Sequence, residues 1–424
     1  MTVRLVRAGV ARGRIRAPPS KSYTHRALVA GHLARRRFSV RRPLVADDTR
    51  ATAAGLAALG SRVVVAPDRW VISPSEGRSD APARIDCGES GTTLRFLAAA
   101  AALSTRPTVL VGRGRLAERP MRPLLDALGR LGARCAPASA SRALPLRIEG
   151  PLRGGAIALE ASESSQFLSA LLLTLPTAAD DSTIRLVGPI VSAPYVRATR
   201  AVLGQLGVRL AGTERRIRVP GGQRYRGGSF EVPGDASSAA YLWAAAAVSR
   251  GRVRVVGLDR TWPQADLAVL RILARAGCRV ELHPDGATVE GRPLAPFAVD
   301  LTDAPDLYPL AGVLAALAPG TSRLAGAAHV VHKESDRRSG TARLVRALGA
   351  RAEVRANALR IEGTPRPRAL ELPSETDHRM VMSAAIGALA GPGGSRIGDA
   401  GAVAKSFPGF WDALAAVVPE AVAV

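Results

Sequence analysis

Apolar and polar positions along this chain alternate between two periods in a fixed order. The stretch from 230 to 289 is the most legible. It has a short apolar strand pattern at 230–232, a nearly continuous apolar helical run at 236–248 and strand alternation at 252–256. An amphipathic helical pattern follows at 264–276, then two alternating strands at 279–289 that turn at Pro284-Asp285-Gly286. Read as elements, this is βαβαββ.

The same order recurs along the chain. Helices opening on small, hydroxylated or acidic residues begin near Ser20, Ser90, Ser164, Ser237, Pro305 and Asp377, an internal period of about 70 residues. A second series of amphipathic helices closes on Gly60, Gly132, Gly207, Gly277 and Gly349, each a C-cap signal before a strand, with a last copy at 410–418 that lacks the glycine. The first helix of each repeat is apolar on nearly all faces, as at 94–103 and 241–248, which predicts burial all round and a central position. A single stack of six repeats would leave large apolar end faces, so two groups of three is the economical packing. The sequence therefore predicts an α/β protein of six βαβαββ repeats, three per domain. If two such domains face each other, their inner helices aim positive N-termini at the cleft between them and create a site for a multiply anionic ligand.

Composition changes this picture in two places. A net charge of +24 suggests a polyanion partner, yet the basic residues are spread through every segment without runs or tails, so nucleic acid is not expected. Only three of the 59 basic residues are lysines: Lys21, Lys333 and Lys405. Where guanidinium has replaced nearly every ammonium, the survivors mark places that need a compact three-donor cation. Chance survival predicts scattered positions; instead each lysine lies in a motif. Cys87, Cys135 and Cys278 are isolated and odd in number, against a disulfide framework or a zinc site. No apolar run reaches membrane-spanning length, and residues 1–9 show strand alternation in place of a signal-type apolar region, so a cytoplasmic protein is expected.

The most distinctive stretch is Pro18-Pro19-Ser20-Lys21-Ser22-Tyr23-Thr24-His25-Arg26, a proline pair that delivers hydroxyls and cations into the first turns of an apolar helix. Ser20 or Ser22 can cap that helix, and its orphan N–H groups and dipole favour an anion. Alone, the stretch reads first as an ordinary capped helix with a solvated charge. Eight further motifs alter the balance: Gly88-Glu89-Ser90-Gly91-Thr92-Thr93 with Arg95, Glu118-Arg119-Pro120, Ser164-Ser165-Gln166-Phe167, Gly234-Asp235-Ala236-Ser237-Ser238, Ala304-Pro305-Asp306, Lys333-Glu334-Ser335-Asp336-Arg337, Asp377-His378-Arg379-Met380 and Ala404-Lys405-Ser406-Phe407-Pro408. Together, and in this order, they resemble the 5-enolpyruvylshikimate-3-phosphate synthase family over essentially the whole chain.

The resemblance implies a two-domain inside-out α/β barrel of the enolpyruvyl transferase type, with domain I formed by 1–19 and 234–424 and domain II by 20–233. It implies transfer of the enolpyruvyl group of phosphoenolpyruvate to the 5-hydroxyl of shikimate 3-phosphate by addition and elimination, without cofactor or metal, in a monomer. By resemblance, Lys21, Ser22, Arg26, Ser164, Ser165, Gln166, Ser192, Asp306 and Lys333 hold shikimate 3-phosphate, with Tyr195 beside its ring. Lys21, Gly91, Arg119, Gln166, Arg337, Arg379 and Lys405 hold phosphoenolpyruvate, and Lys21, Asp306 and Glu334 handle protons. For the serines, capping is the other reading; Asp306 is also readable as a cap and Glu334 as an i,i+3 partner of Arg337. Which group gives and which takes each proton stays open. Three positions depart from the commonest pattern: Glu89 where asparagine is usual, Phe96 for a frequent proline and His329 for asparagine. The sister transferase of UDP-N-acetylglucosamine uses a Lys-Asn pair and a loop cysteine; here Lys21 precedes Ser22 and the loop at 111–118 has no cysteine.

Overall fold

Six helices are buried on nearly every face: small and apolar residues fill most of their length, and the polar residues of their first turns, such as His25, Arg26, His378 and Arg379, are buried with them. A computed structural model describes residues 2–75, 81–373 and 375–421. The chain divides into a continuous unit, Pro19–Pro233, and a discontinuous one, Met1–Pro18 with Gly234–Val424. The continuous unit contains helices α1 (Lys21–Leu33), α2 (Asp47–Ala58), α3 (Gly91–Ala101), α4 (Arg122–Arg130), α5 (Ser165–Thr174) and α6 (Ala193–Gln205). The discontinuous unit contains α7 (Ala236–Ser249), α8 (Ala268–Arg275), α9 (Tyr308–Ala316), α10 (Arg337–Ala347), α11 (His378–Ala388) and α12 (Phe410–Val417). Within one unit α1, α3 and α5 pack on each other, and within the other α7, α9 and α11 do the same.

The sheets lie outside these helices and keep one face toward them, as the alternating burial of Leu146–Glu149 illustrates. Each complete sheet has four strands, a parallel pair followed by two antiparallel pairings, as in Ala83–Asp86, Thr108–Val111, Leu146–Glu149 and Arg134–Ala136. Buried helices inside and half-exposed sheets outside make each unit an inside-out α/β barrel. All five glycines marked as helix ends, Gly60, Gly132, Gly207, Gly277 and Gly349, have φ between 80° and 102°, the left-handed geometry that closes a helix.

Three details depart from the sequence reading. The strand expected to open the fourth repeat, Gly228–Glu231 in the structure, lies parallel to Phe38–Arg41 in the first repeat's sheet. Its Phe230 is fully buried and stacks on Tyr23, with ring centroids 6.5 Å apart. Arg12–Arg16 instead runs parallel to Arg252–Val256 and completes the fourth repeat. Alternation identifies a strand but not its neighbour, so this exchange is invisible in one sequence. In the sixth repeat the terminal hairpin is replaced by Arg4–Arg7, antiparallel to Gly394–Ile397, in a three-stranded sheet. Finally, Ser20 occupies the N-cap position of α1 but its hydroxyl makes no capping bond. Its N–H donates to the Pro233 carbonyl at 2.8 Å, which ties the helix start to the end of the unit. Ser90, Ser164, Asp235 and Asp377 do cap their helices.

A polar strut crosses the continuous unit between its helices. His25 on α1, with no exposed surface, bonds Thr52 Oγ1 through Nδ1 at 2.8 Å, and Thr52 bonds Thr93 Oγ1 at 2.7 Å. Burial, with Lys21 and Arg26 nearby, holds the imidazole well below its ordinary range. The unfolded chain therefore binds a proton near pH 6.5 that folded His25 refuses, and stability falls as pH drops through that value. Urea titration between pH 7 and 5 should show unfolding free energy declining, by at most about 1.4 kcal/mol per pH unit from this group. His25→Asn should give a shallower decline; an unchanged slope would show that His25 titrates normally.

Candidate active site

Two groups of chemistry-bearing side chains emerge, one per unit, each at or beside the first turns of helices. In the continuous unit those turns touch through side chains. Lys21, the first residue of α1, places Nζ 2.8 Å from Asp48 Oδ2 in the first turn of α2. Gln166 in the first turn of α5 donates from Nε2 to Thr92 Oγ1 on α3 at 2.9 Å and accepts from Arg95 Nη1 at 2.6 Å. Arg95 is 3% exposed and also donates to the Pro120 carbonyl, so the Gln166 amide is held in one orientation.

Arg26 is the most isolated charge of this group. Nε donates to Thr199 Oγ1 at 2.8 Å, Nη1 to the Ser22 carbonyl at 2.8 Å and Nη2 to the Tyr195 carbonyl at 2.9 Å. It is 2% exposed, and no described carboxylate forms an ion pair with it. Burial lowers its pKa to about 10, with Tyr23 and Tyr195 opposing. Two N–H groups, one on each terminal nitrogen, remain outside these bonds, which is the fork that grips a phosphate. Ser192 stands nearby in sequence to Tyr195 at the N-cap of α6, buried, in a left-handed conformation of φ 55° and ψ 38°. A non-glycine residue held there marks a backbone fixed by its surroundings. Ser164 accepts from the Gln166 N–H at 3.2 Å, and Ser165 follows it, buried, as the first residue of α5.

Gly91 and Arg119 form one feature. A Cβ on Gly91 would sit 2.7 to 2.9 Å from the carbon and both terminal nitrogens of the Arg119 guanidinium. Only glycine permits this approach of a buried arginine to the helix start. Glu89, two residues earlier, directs its carboxyl toward the backbone at Gly114, whose Cβ position lies 3.1 Å from Glu89 Cδ.

In the discontinuous unit the organising group is Arg337, 1% exposed at the start of α10. Its Nη1 donates to Asp306 at 2.8 Å, Nη2 to Glu334 at 2.7 Å, and Nε to Asp377 at 2.8 Å, with a second bond from Nη2 to Asp377 at 3.2 Å. Arg337 was expected as a phosphoenolpyruvate ligand; one N–H on Nη1 lies outside these bonds. Asp306 also meets Lys333 at 3.5 Å and Arg379 at 3.0 Å. Burial alone would raise the Asp306 carboxyl, but Arg379, Lys333 and Arg337 outweigh it and hold the group well below the carboxylate range. Asp377 accepts in addition from Ser335 Oγ and, as the cap of α11, from the Arg379 N–H. Lys405 donates to the Thr376 carbonyl at 2.9 Å, one residue before that cap. His329, 7% exposed, is pushed down to about 3 by burial, then by Lys333.

Two acidic residues of these groups escaped the sequence reading. Asp48 holds Lys21, and only its position in the first turn of an amphipathic helix could have singled it out. Asp266 is 3% exposed and pushed up to about 6 by burial and the charge of Asp306, against Arg379. Like Asp306, it is the middle residue of a one-turn 3-10 helix, Ala265–Leu267 against Pro305–Leu307. Asp377 was visible only as part of a motif, without the bridging role it has here.

A sequence model of EPSP synthase (3-phosphoshikimate 1-carboxyvinyltransferase) matches residues 7–414. The chain is 42% identical over 422 residues to 3-phosphoshikimate 1-carboxyvinyltransferase of Methanoculleus marisnigri, covering 98% of this chain and 99% of that protein. It is 40% identical over 412 residues to the enzyme of the same name from Halobacterium salinarum, covering 95% and 96%. Among solved structures, EPSP synthase from Acinetobacter baumannii superposes with a TM-score of 0.80 at 24% identity, over 100% of this chain and 99% of that one. The enolpyruvyl transferase NikO from Streptomyces tendae gives 0.79 at 18%, over 98% and 97%. At such identities the structures establish the fold.

Removing the central guanidinium would leave three carboxylates facing one another in the interior. Arg337→Met should cost about 3–5 kcal/mol of stability at pH 7, measured by urea unfolding. The deficit should shrink below pH 5 as the stranded carboxylates take up protons; a loss under 1 kcal/mol would mean that the cluster relaxes into water.

Proposed function

Since the chain belongs to the EPSP synthase family, the 3-phosphoshikimate 1-carboxyvinyltransferases, we propose that its two side-chain groups divide that family's reaction between them. The enzyme transfers the enolpyruvyl group of phosphoenolpyruvate to the 5-hydroxyl of shikimate 3-phosphate and releases phosphate, a step of the shikimate pathway toward aromatic amino acids. Both substrates are multiply anionic and repel each other in water, so catalysis begins with fixed cations and helix N-termini that remove this repulsion.

Arg26, with Ser22, Ser164, Ser165 and Ser192, takes the phosphate of shikimate 3-phosphate, and Gln166 and Tyr195 border its ring. Lys333 and Asp306 take its hydroxyl end. Arg119 over Gly91, with Lys21, Gln166, Arg379, Lys405 and the remaining N–H of Arg337, takes phosphoenolpyruvate. The observation that carries the chemistry is Asp306, an ionised carboxylate bounded by Lys333, Arg337 and Arg379. Its low proton affinity makes it a weak base at rest. It accepts the 5-hydroxyl proton as the new C–O bond forms at C2 of phosphoenolpyruvate and that hydroxyl becomes acidic. In the same addition the C3 methylene gains a proton, and a tetrahedral ketal results. Elimination then removes a proton from the C3 methyl and expels phosphate, which restores the enol double bond in the product. Glu334, fixed by Arg337, and Lys21, fixed by Asp48, are the candidates for the C3 proton.

The enzyme is further taken to act as a cytoplasmic monomer. In support of the monomer, the exposed large hydrophobic residues among the described residues are dispersed in sequence, such as Val10, Val64, Leu282 and Val354. Sedimentation should give a single species of 44.1 kDa.

Phosphate release from phosphoenolpyruvate should require shikimate 3-phosphate; equal release with UDP-N-acetylglucosamine would overturn the assignment. Gly91→Ala should fold normally but displace Arg119, and so raise the KM for phosphoenolpyruvate roughly tenfold or more with little change for shikimate 3-phosphate. Lys405→Arg keeps the charge but not the compact ammonium, and kcat should fall roughly 10- to 100-fold.

A further inference from the structure

Burying a cation usually demands a carboxylate beside it. Arg26 lacks one among the described residues, yet sits at 2% exposure with only a hydroxyl and two carbonyls as hydrogen-bond partners. The surface it rests on is aromatic. Its guanidinium carbon lies 5.5 Å from the centroid of the Phe96 ring, and Phe96 is itself 1% exposed on α3. One residue before Phe96, Arg95 repeats the arrangement one helix further on: its guanidinium carbon lies 5.3 Å from the Phe167 centroid on α5.

We propose, on the reading of Arg26 as the phosphate ligand, that the Phe96 ring is a positioning residue that replaces the counter-ion under Arg26 and keeps its two remaining N–H groups aimed at the substrate phosphate. A carboxylate in the same place would hold the guanidinium as firmly. It would also neutralise the charge and compete with the phosphate for N–H groups. The ring's electron-rich face attracts the cation and accepts none of its in-plane N–H bonds. The charge thus stays uncompensated until the anion arrives, and the fork keeps one orientation with little side-chain entropy left to lose. A side chain without a π-face at 96 would leave the guanidinium to be oriented by hydrogen bonds alone. Burial of the unpaired cation agrees with this, since it lowers the Arg26 pKa to about 10 while leaving it fully charged at neutral pH.

The test replaces Phe96 with 4-fluoro-, 3,5-difluoro- and 3,4,5-trifluorophenylalanine, which drain the ring face stepwise at nearly constant shape, and with cyclohexylalanine, which keeps bulk without a π-face. Affinity of the binary complex with shikimate 3-phosphate is read by calorimetry, with inorganic phosphate as a second probe. Affinity should fall in step with fluorine number, reaching roughly three- to thirtyfold for cyclohexylalanine, while the KM for phosphoenolpyruvate stays constant. A structural role alone would show no gradation with ring electron density. Equal affinities across the series would overturn the role of Phe96. Inorganic phosphate affinity that falls across the Phe96 series, together with no binding of shikimate 3-phosphate by the unsubstituted protein, would instead overturn the substrate reading. Should cyclohexylalanine unfold the protein, the Arg26 Nε–H exchange rate in the fluorinated series provides the same discrimination: it should rise with fluorine number, and a constant rate would refute the ring's hold on the guanidinium.

Discussion

A charge removed from water must be answered by an opposite charge, a full set of hydrogen bonds or a polarisable face, and most of the chemistry of this protein follows from how it meets that demand. The two units meet it differently. In the discontinuous unit Asp306, Glu334 and Asp377 surround one arginine, and Lys333 and Arg379 complete the set. Despite burial, Asp306 and Asp377 are held there below the ordinary carboxylate range by the cations around them, and an ordered carboxylate suits proton transfer. In the continuous unit Arg26 is buried against carbonyls, a hydroxyl and a ring, and Lys21 pairs with the buried Asp48. Arg26 is thereby ordered with its charge in reserve, which suits anion binding.

Both arrangements depend on the inner helices. Ser90, Ser164, Asp235 and Asp377 cap four of the six from their own sequence, so those first turns are held before any ligand arrives. Side chains at helix starts then bond across helices, as Gln166 on α5 does to Thr92 on α3 and Arg337 at the start of α10 to Asp377, the cap of α11. Preorganisation of this kind lowers the ordering cost that binding would otherwise meet.

Much of this was legible in the sequence, for identifiable reasons. Repeat length and helix ends could be read because glycine is needed wherever a helix closes in the left-handed region, and Gly60 through Gly349 marked five such places. Lys21, Lys333 and Lys405 stood out against a background of arginine, and the motifs around them carried the family resemblance. Partnerships were not legible. Nothing in the sequence tied Asp48 to Lys21, or Asp266 to Asp306, because each pair is made by tertiary folding of residues 27 and 40 positions apart. Ser20 has the composition of a cap, yet its hydroxyl makes no capping bond. Strand identity was clear at 228–231 and strand neighbour was not, since alternation records which face is buried and says nothing of the edge.

That exchange of edge strands also sets a schedule for synthesis. Gly228–Glu231 joins a sheet whose other strands are already translated, so residues 19–233 contain every strand of their own three sheets. By contrast Arg12–Arg16 has no neighbour until Arg252–Val256 leaves the ribosome. An amino-terminal segment thus waits, unpaired and rich in arginine, while more than 200 residues emerge. Its charge is well suited to that delay, because a strongly cationic edge repels copies of itself on neighbouring nascent chains and resists premature sheet pairing.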